Sequence, residues 1–547
     1  METSEHTLVF EGLHTGIYTF VCTVRNSLGE TATATAEDAF AVKPARTYVS
    51  LTGSDTWPYT TPETAARDLR TAVEAADQQV IVLPGVYKDF SHAPAGYMAE
   101  VQTPLEIVGS DDPSETVIDC GGLAGIQLSA EGAFLHGFTF TNFVAKSGLG
   151  HLLFVNKGMI SNVVVRGGTT MSVASYDCLN VGWQGRVEDT VVTNLNSTQG
   201  YAVNTAGGRF RNLKLVGCAG KATVVASVPT NAQRTRFDDC VFEDGAGISR
   251  EFVKIRNTDL KSPILRRNAL TAGKLINTYG STMIDGIVRD NTAAADSLVG
   301  NWTESWVGTY SRFTNCLFIS NTTKSGVFRT DGVVSFHIEY VNCTVAGNVA
   351  TEGTVCGIAG TGHPDAGEGL NDIKNCIVWG NTAAGQPADV NVLNVLRTKT
   401  SARNSCFAEA AQLPDKGNLA EDPQLHANFH IGPESPCCNT GANLGWEQGG
   451  KDLDGFFGID GLADTVLAPI NGNHDVSPAS ANLPLYTNTP NQVNPGSMGI
   501  GDYYFMSGNV LFVMLSITDI NFDEVDHEKT FEEAIKAYPD YDWMVVG

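Results

Sequence analysis

The run Phe252-Val-Lys-Ile-Arg-Asn257 holds the best-placed basic side chains of this chain. Strand alternation would turn Val253 and Ile255 to one face and Lys254 and Arg256 to the other, so the two cations share a surface. A base so placed can remove a proton from a carbon beside a carboxylate, once the charge of that carboxylate is neutralised. Calcium supplies such neutralisation where acidic side chains hold it. The nearest acids in sequence are Glu251, Asp239, Asp285 and Asp290, and Asp239 and Asp290 are taken as candidate calcium ligands. The competing reading of Lys254 and Arg256 is a pair of solvated surface charges. A second acidic stretch, Asp365 and Glu368 with His363, reads equally as a cleft wall or an ordinary loop.

Cysteine is the other reactive residue type in quantity, with 12 along the chain. No Cys-x-x-Cys pair and no His/Cys spacing suggests zinc. Instead three related copies recur: Asn315-Cys-Leu-Phe-Ile-Ser-Asn321, Asn342-Cys-Thr-Val-Ala-Gly-Asn348 and Asn375-Cys-Ile-Val-Trp-Gly-Asn381. In each, the cysteine and the apolar residue two places on share a face. Stacking would set Cys316, Cys343 and Cys376 in an inward ladder of buried thiols beside Phe318, Val345 and Val378. The asparagine at the far end of each copy suits a turn, since it tolerates left-handed backbone.

These copies belong to a longer series. From Val117 onward, β-branched and aromatic runs return roughly every 20 to 30 residues, as repeat architectures do. Ile160–Arg166, Phe210–Val216 and Arg236–Phe242 are examples. One such repeat cannot bury its own apolar face, but stacked repeats make a continuous core. A sheet of hairpins is the weaker alternative, because evenly spaced Asn-Gly turns are absent. At the start of the series, Pro62 to Ala76 reads as an amphipathic helix capped by Thr61, with Pro62 at its first position. Across the end of a solenoid, it would cover strand edges that invite aggregation.

Composition narrows the function classes. With 35 basic and 60 acidic residues, the net charge of −25 argues against nucleic acid, which needs clustered cations. No apolar run approaches the roughly 20 residues of a membrane span. Met1-Glu-Thr-Ser-Glu-His6 lacks the basic and apolar regions of a signal peptide.

Tyr48-Val-Ser-Leu-Thr-Gly-Ser-Asp55 followed by Gln79-Val-Ile-Val-Leu-Pro-Gly-Val-Tyr87 resembles the entry segment of bacterial right-handed β-helix proteins. The later segments Asn375–Asn381, Ser405-Cys-Phe407, Gly417–Leu425, Ser435-Pro-Cys437 and Thr440-Gly441 are similar, in order, to the closing region of choice-of-anchor Q proteins, relatives of the pectate-lyase-like group. The resemblance implies an extracellular or cell-surface protein that binds or degrades polysaccharide. In such lyases, calcium neutralises a uronate and an Arg or Lys takes the proton. A non-catalytic adhesin on the same scaffold is the alternative.

The flanks differ. His6–Leu13 and Gly16–Val24 alternate like the last strands of an immunoglobulin-like or fibronectin-like module. At the other end, Gly472-Asn-His-Asp475 resembles one motif of calcineurin-like metallophosphoesterases. That resemblance implies Asn473 as a metal ligand and His474 as a phosphate-stabilising or proton-donating residue. The chemistry needs two divalent metals with further ligands, and most of that ligand set is missing here.

The expected fold is therefore mainly β. A right-handed parallel β-helix would span residues 45–455 with a capping helix. Sandwich-like strands would occupy 1–44, and a small α/β fragment 456–547.

Overall fold

Strands of three or four residues with apolar side chains at alternate positions cannot stand alone, and here they wind into a coil. The computed structural model describes residues 11–88, 97–122, 125–145, 150–170, 176–221, 223–229, 232–301, 309–332, 336–362, 369–392, 398–413 and 416–432. It also describes shorter stretches between 434 and 444 and at 492–493, 502–507, 510–514, 527–539 and 543–546.

One turn of the coil shows the plan. Val253–Arg256, Thr258–Lys261, Ile264–Arg266 and Ala269–Leu270 follow one another, and Ile276–Tyr279 begins the next turn. We call these four strand columns sheets A, B, C and D. Each strand pairs in parallel with its counterpart one turn later, as in Val253↔Ile276, Leu260↔Met283, Leu265↔Val288 and Leu270↔Ala293. This turn-to-turn parallel pairing excludes the hairpin sheet; the one short antiparallel pair described in the coil is Thr382–Ala383 with Gln386–Pro387. The protein is a parallel β-solenoid of about ten turns.

The core is the line of inward residues. Phe210 stacks on Phe237 with ring centroids 4.4 Å apart, and Phe318 meets Phe328 edge-on at 4.6 Å. Such pairs contribute roughly 0.5–1.5 kcal/mol beyond the area they bury. The thiol ladder forms as its spacing implies: Cys316, Cys343 and Cys376 are all buried, and Phe318, Val345 and Val378 lie in register beside them. Burial pushes the Cys316 and Cys376 thiols well above the ordinary range. Of the 12 cysteines nine are buried, Cys437 and Cys438 are half-buried, and only Cys22 is exposed. A thiol reagent should therefore label Cys22 quickly in the native protein and the buried nine only after denaturant is added. Rapid native labelling at Cys316 would contradict this packing.

The corners differ from the sequence expectation in an informative way. The run Arg236–Phe242 is not a single strand, and the strand Leu153–Arg166 that holds Ile160–Arg166 bends within it. A one-residue bend at Asn162 and Asp239, with φ of 51° and 55°, passes the chain from sheet B to sheet C. In the three cysteine copies, it is the first asparagine, Asn315, Asn342 or Asn375, that takes left-handed backbone at this corner. The far asparagines instead form a buried ladder at the start of sheet D. Asn268, Asn291, Asn321, Asn348 and Asn381 each pass a side-chain N–H to the next Oδ1, and Asp389 accepts the last at 2.8 Å. The residue just before each, such as Ser320 or Gly347, takes the left-handed turn in their place. An amide with both a donor and an acceptor can stack along the axis without end, which a simple turn residue does not use. Burial raises the Asp389 carboxyl to about 6.

The capping helix is shorter than its pattern predicts, Leu69–Ala75, with Asp68 rather than Thr61 at its N-cap. The backbone of residues 63–66 is committed elsewhere: Ser54 N–H donates to Glu63 O, and Asp55 N–H to Ala65 O. That pairing brings Gly53 so close to Ala65 that a Cβ at residue 53 would stand 2.2 Å from its carbonyl oxygen. Only glycine fits there. The helix still buries Leu69, Ala72 and Val73 against the first strands of the coil.

Gly16–Arg25 and Thr31–Val42 form an antiparallel hairpin; the first holds the expected strand Gly16–Val24, while residues 6–10 of the expected strand His6–Leu13 lie outside the described residues. By its internal contacts the chain divides into units 1–421 and 422–547. In the second unit, Gln492–Val493, Asp502–Ser507, Val510–Met514 and Trp543–Val546 make a four-stranded sheet. The helix His527–Ala537 packs on it around Leu511, Val513 and Ala534. No helix among the described residues is long and apolar enough to cross a membrane.

Candidate functional site

Four successive strands on sheet B begin earlier than their predecessors and present a grid of outward side chains. They are Thr309–Thr314, Phe336–Val341, Gly369–Lys374 and Thr398–Arg403. Their inward residues, Phe313, Ile338, Ile373 and Ala402 among them, are buried and hold the strands flat. Register then lines up the outward ones. Tyr310, His337, Leu370 and Lys399 form one file, and Arg312, Glu339, Asp372 and Ser401 the next. Lys374 and Arg403 stand together in a third. Neighbouring strands are ~4.8 Å apart, so each file is a row of side chains in contact.

Glu339 is the centre of this grid and only 8% exposed. It accepts hydrogen bonds from Tyr310 Oη and from Lys374 Nζ, and Arg312 Nε stands 3.2 Å away. Lys374 also reaches Asp372 Oδ2 at 2.8 Å, so one ammonium bridges carboxylates on adjacent strands. Burial alone would raise the Glu339 carboxyl. The bonds from Lys374 and Tyr310 and the charge of Arg312 outweigh it and hold that carboxyl below its usual range. The Tyr310 phenol is pushed up to about 12 by burial, by its bond to Glu339 and by the charge of that carboxylate. Desolvation opposes charge on Lys374, but its bonds to Asp372 and Glu339 win and raise it. His337 packs edge-on to Tyr310, with centroids 5.0 Å apart, and its Nε2 is buried 3.9 Å from Asp372 Oδ2.

Beside this cluster lies a cavity of about 540 Å³ lined by Leu370, Asp372, Ser401, Arg403, Asn404 and Lys416. Its wall thus combines two cations with the edge of the ionised cluster. With its carboxyl held below the usual range by Lys374, Tyr310 and Arg312, Glu339 serves this cluster as a hydrogen-bond acceptor.

The residues singled out by sequence are placed as follows. Lys254 and Arg256 do lie together on the outward face of sheet A, with Val253 and Ile255 buried beneath them. Arg256 is stacked over the Tyr279 ring at 5.0 Å. Asp239 and Asp290 do not meet. Each takes left-handed backbone at a corner, Asp239 before sheet C and Asp290 after it, two turns further along. Among the described residues no group of three His, Cys, Asp or Glu side chains is arranged to hold a metal ion. Asn473, His474, His363, Asp365 and Glu368 lie outside the described residues.

The grid escaped the sequence reading because its members come from four turns about 30 residues apart. A signal was present: Tyr310-Ser-Arg312, His337-Ile-Glu339 and Asp372-Ile-Lys374 each put polar groups two apart just ahead of an Asn-Cys corner.

No family model and no curated protein matches this sequence. Solved structures resemble it in fold. Pectate lyase Pel9A shares 11% identity over 78% of this chain and 90% of its own, with a TM-score of 0.28. The catalytic unit of the GH87 α-1,3-glucanase from Streptomyces thermodiastaticus shares 15% over 72% of each chain, with a TM-score of 0.27. The A-module of the Azotobacter vinelandii mannuronan C-5 epimerase AlgE4 shares 12% over 61% of this chain and 96% of its own, with a TM-score of 0.22. None of these structures is an immunoglobulin-like or calcineurin-like module, so neither flank finds a counterpart among them. At such identities and TM-scores they lend this chain no role, and the parallel β-solenoid stands on its own strand pairing.

Proposed function

We propose that the coil binds an acidic, extracellular polysaccharide over the sheet B grid and can cleave it by β-elimination. The observation that supports this reading is the local reversal of charge. On a chain of net charge −25, Arg403 and Lys416 line one cavity, with Lys374 in register beside Arg403. Those cations suit the carboxylate of a uronate. In the proposed step His337 takes the proton beside that carboxylate and the electron pair forms a double bond. The glycosidic oxygen then leaves, taking a proton from the Lys374 ammonium or water. Lys254 and Arg256 on sheet A, with calcium as a helper, remain the second proposal for the base; the side-by-side placement of the two cations favours it.

Arg403 reaches the cavity without joining the Glu339 cluster, so it tests binding separately from folding. Arg403→Ala should weaken binding of polyuronate chains about tenfold or more while the unfolding midpoint stays within error. His337→Ala should abolish the ultraviolet band of unsaturated uronides with binding retained. Binding without any such band, in the wild type and across a panel of acidic polysaccharides with and without calcium, would leave a non-catalytic adhesin. Failure to bind any of them would sink the reading.

A further inference from the structure

A second outward surface, early on sheet A, has the opposite chemistry. Its file runs Phe154, Asn180, Asn204 in register, and none of these side chains carries charge. Asp177, at the corner just before this file, is fully buried. Its Oδ2 accepts from Asn180 Nδ2 and from Asn204 Nδ2, both at 3.0 Å, and its Oδ1 accepts from Tyr201 N–H at 3.1 Å. A carboxylate only accepts, so it fixes which end of each amide faces inward. The Oδ1 atoms of Asn180 and Asn204 are thereby turned away from it, on strands ~4.8 Å apart.

His151 completes the polar set. Its Nδ1 accepts the Asp177 backbone N–H at 3.0 Å, so the ring proton sits on Nε2, as a donor. Burial pushes the imidazole below its ordinary range despite the nearby Asp177, keeping it neutral. Aromatic rings surround it: Phe154 at 5.4 Å and Tyr176 at 5.7 Å between centroids. Three residues after Asn180 on the same strand, Trp183 is 54% exposed. Its position depends on Gly207 of the next turn, where a Cβ would stand 3.1 Å from Trp183 Cβ. Beside it Gln184 Oε1 is buried and has no hydrogen-bond partner among the described residues.

The geometry points to a neutral-sugar subsite on this face. Fixed acceptors at Asn180 and Asn204 and a donor at His151 meet hydroxyl groups, while Trp183, Phe154 and Tyr176 offer flat apolar surfaces for the C–H faces of pyranose rings. Asp177 is sealed beneath its donors and serves as a positioning residue. The contacts named here are made by neutral side chains, unlike the Arg403 and Lys416 wall of the grid. The subsite therefore goes beyond the charged grid, and the two readings fail separately.

The test uses the full chain and a panel of neutral hexasaccharides of glucose, galactose, mannose and xylose, with binding read by titration calorimetry. At least one should bind, and Trp183→Ala should weaken it about tenfold while Trp183→Tyr restores most of the affinity. Asn204→Ala should weaken the same sugar, with unchanged unfolding midpoints showing that the fold is kept. Arg403→Ala should leave neutral-sugar binding untouched. The proposal is overturned if no neutral hexasaccharide binds at millimolar concentration. It is equally overturned if binding survives both Trp183→Ala and Asn204→Ala, or if it is lost with Arg403→Ala.

Discussion

Lys374→Met should destabilise the first unit by about 3 kcal/mol at neutral pH, and the loss should shrink as the pH falls. The ammonium bridges Glu339 and Asp372, whose side chains are 11% and 16% exposed. Removing one partner of a buried ionic cluster leaves charges that water cannot reach, and that costs more than the pair itself contributes. Arg312 remains beside Glu339, which keeps the expected loss toward the low end.

The pH dependence follows from the sign of the Glu339 shift. In the native protein its carboxyl lies below the ordinary range. It therefore contributes stability above the titration of an unfolded glutamate, and this is lost as pH falls through the lowered value. Without Lys374 burial dominates and the carboxyl moves up. The ionised form then costs stability at neutral pH, and protonation on acidification relieves that cost. Denaturant midpoints of both proteins from pH 7 to about 4 should converge. A gap that stays constant across that range would show that Lys374 acts by packing alone. The same variant should lose acidic-polymer binding, since it removes a cation from the grid.

Asn321→Ala should cost more, about 4 kcal/mol. Asn321 is fully buried near the middle of the amide ladder. Its Oδ1 accepts from both the N–H and Nδ2 of Asn291, and its Nδ2 donates to Val288 O and Asn348 Oδ1. Alanine leaves several of these groups buried and unpaired, at roughly 1–3 kcal/mol each, with partial relaxation. Asn268 stands at the start of the ladder, where Asn268→Ala breaks it at one end only, so a smaller loss is expected. In a solenoid each turn is stabilised by its neighbours, so an interior break uncouples the two halves. Comparing unfolding midpoints of the two variants measures this. Equal losses below 1 kcal/mol would mean that the ladder is decoration on an already stable stack.

Sequence alone determined the kind of fold. Short strands, a repeat of fixed chemistry and cysteines two residues from an apolar partner admit few solutions other than a stack, because no single repeat can bury its own face. The inward ladder of Cys316, Cys343 and Cys376 and the outward placement of Lys254 and Arg256 followed from a period of two. Bend positions did not. Asn315 and Asn321 are the same residue type six apart, and only stacking decides that the first turns the corner while the second joins a buried amide row. Nor was the Pro62 start of the helix a safe signal, because pairing of residues 63–65 with 54–56 is a tertiary event. The grid of Tyr310, His337, Glu339 and Lys374 was decided entirely by tertiary structure. Its residues lie up to 64 positions apart in sequence. Register between successive turns brings them within hydrogen-bond reach, and register is a property of the stacked coil rather than of any one strand.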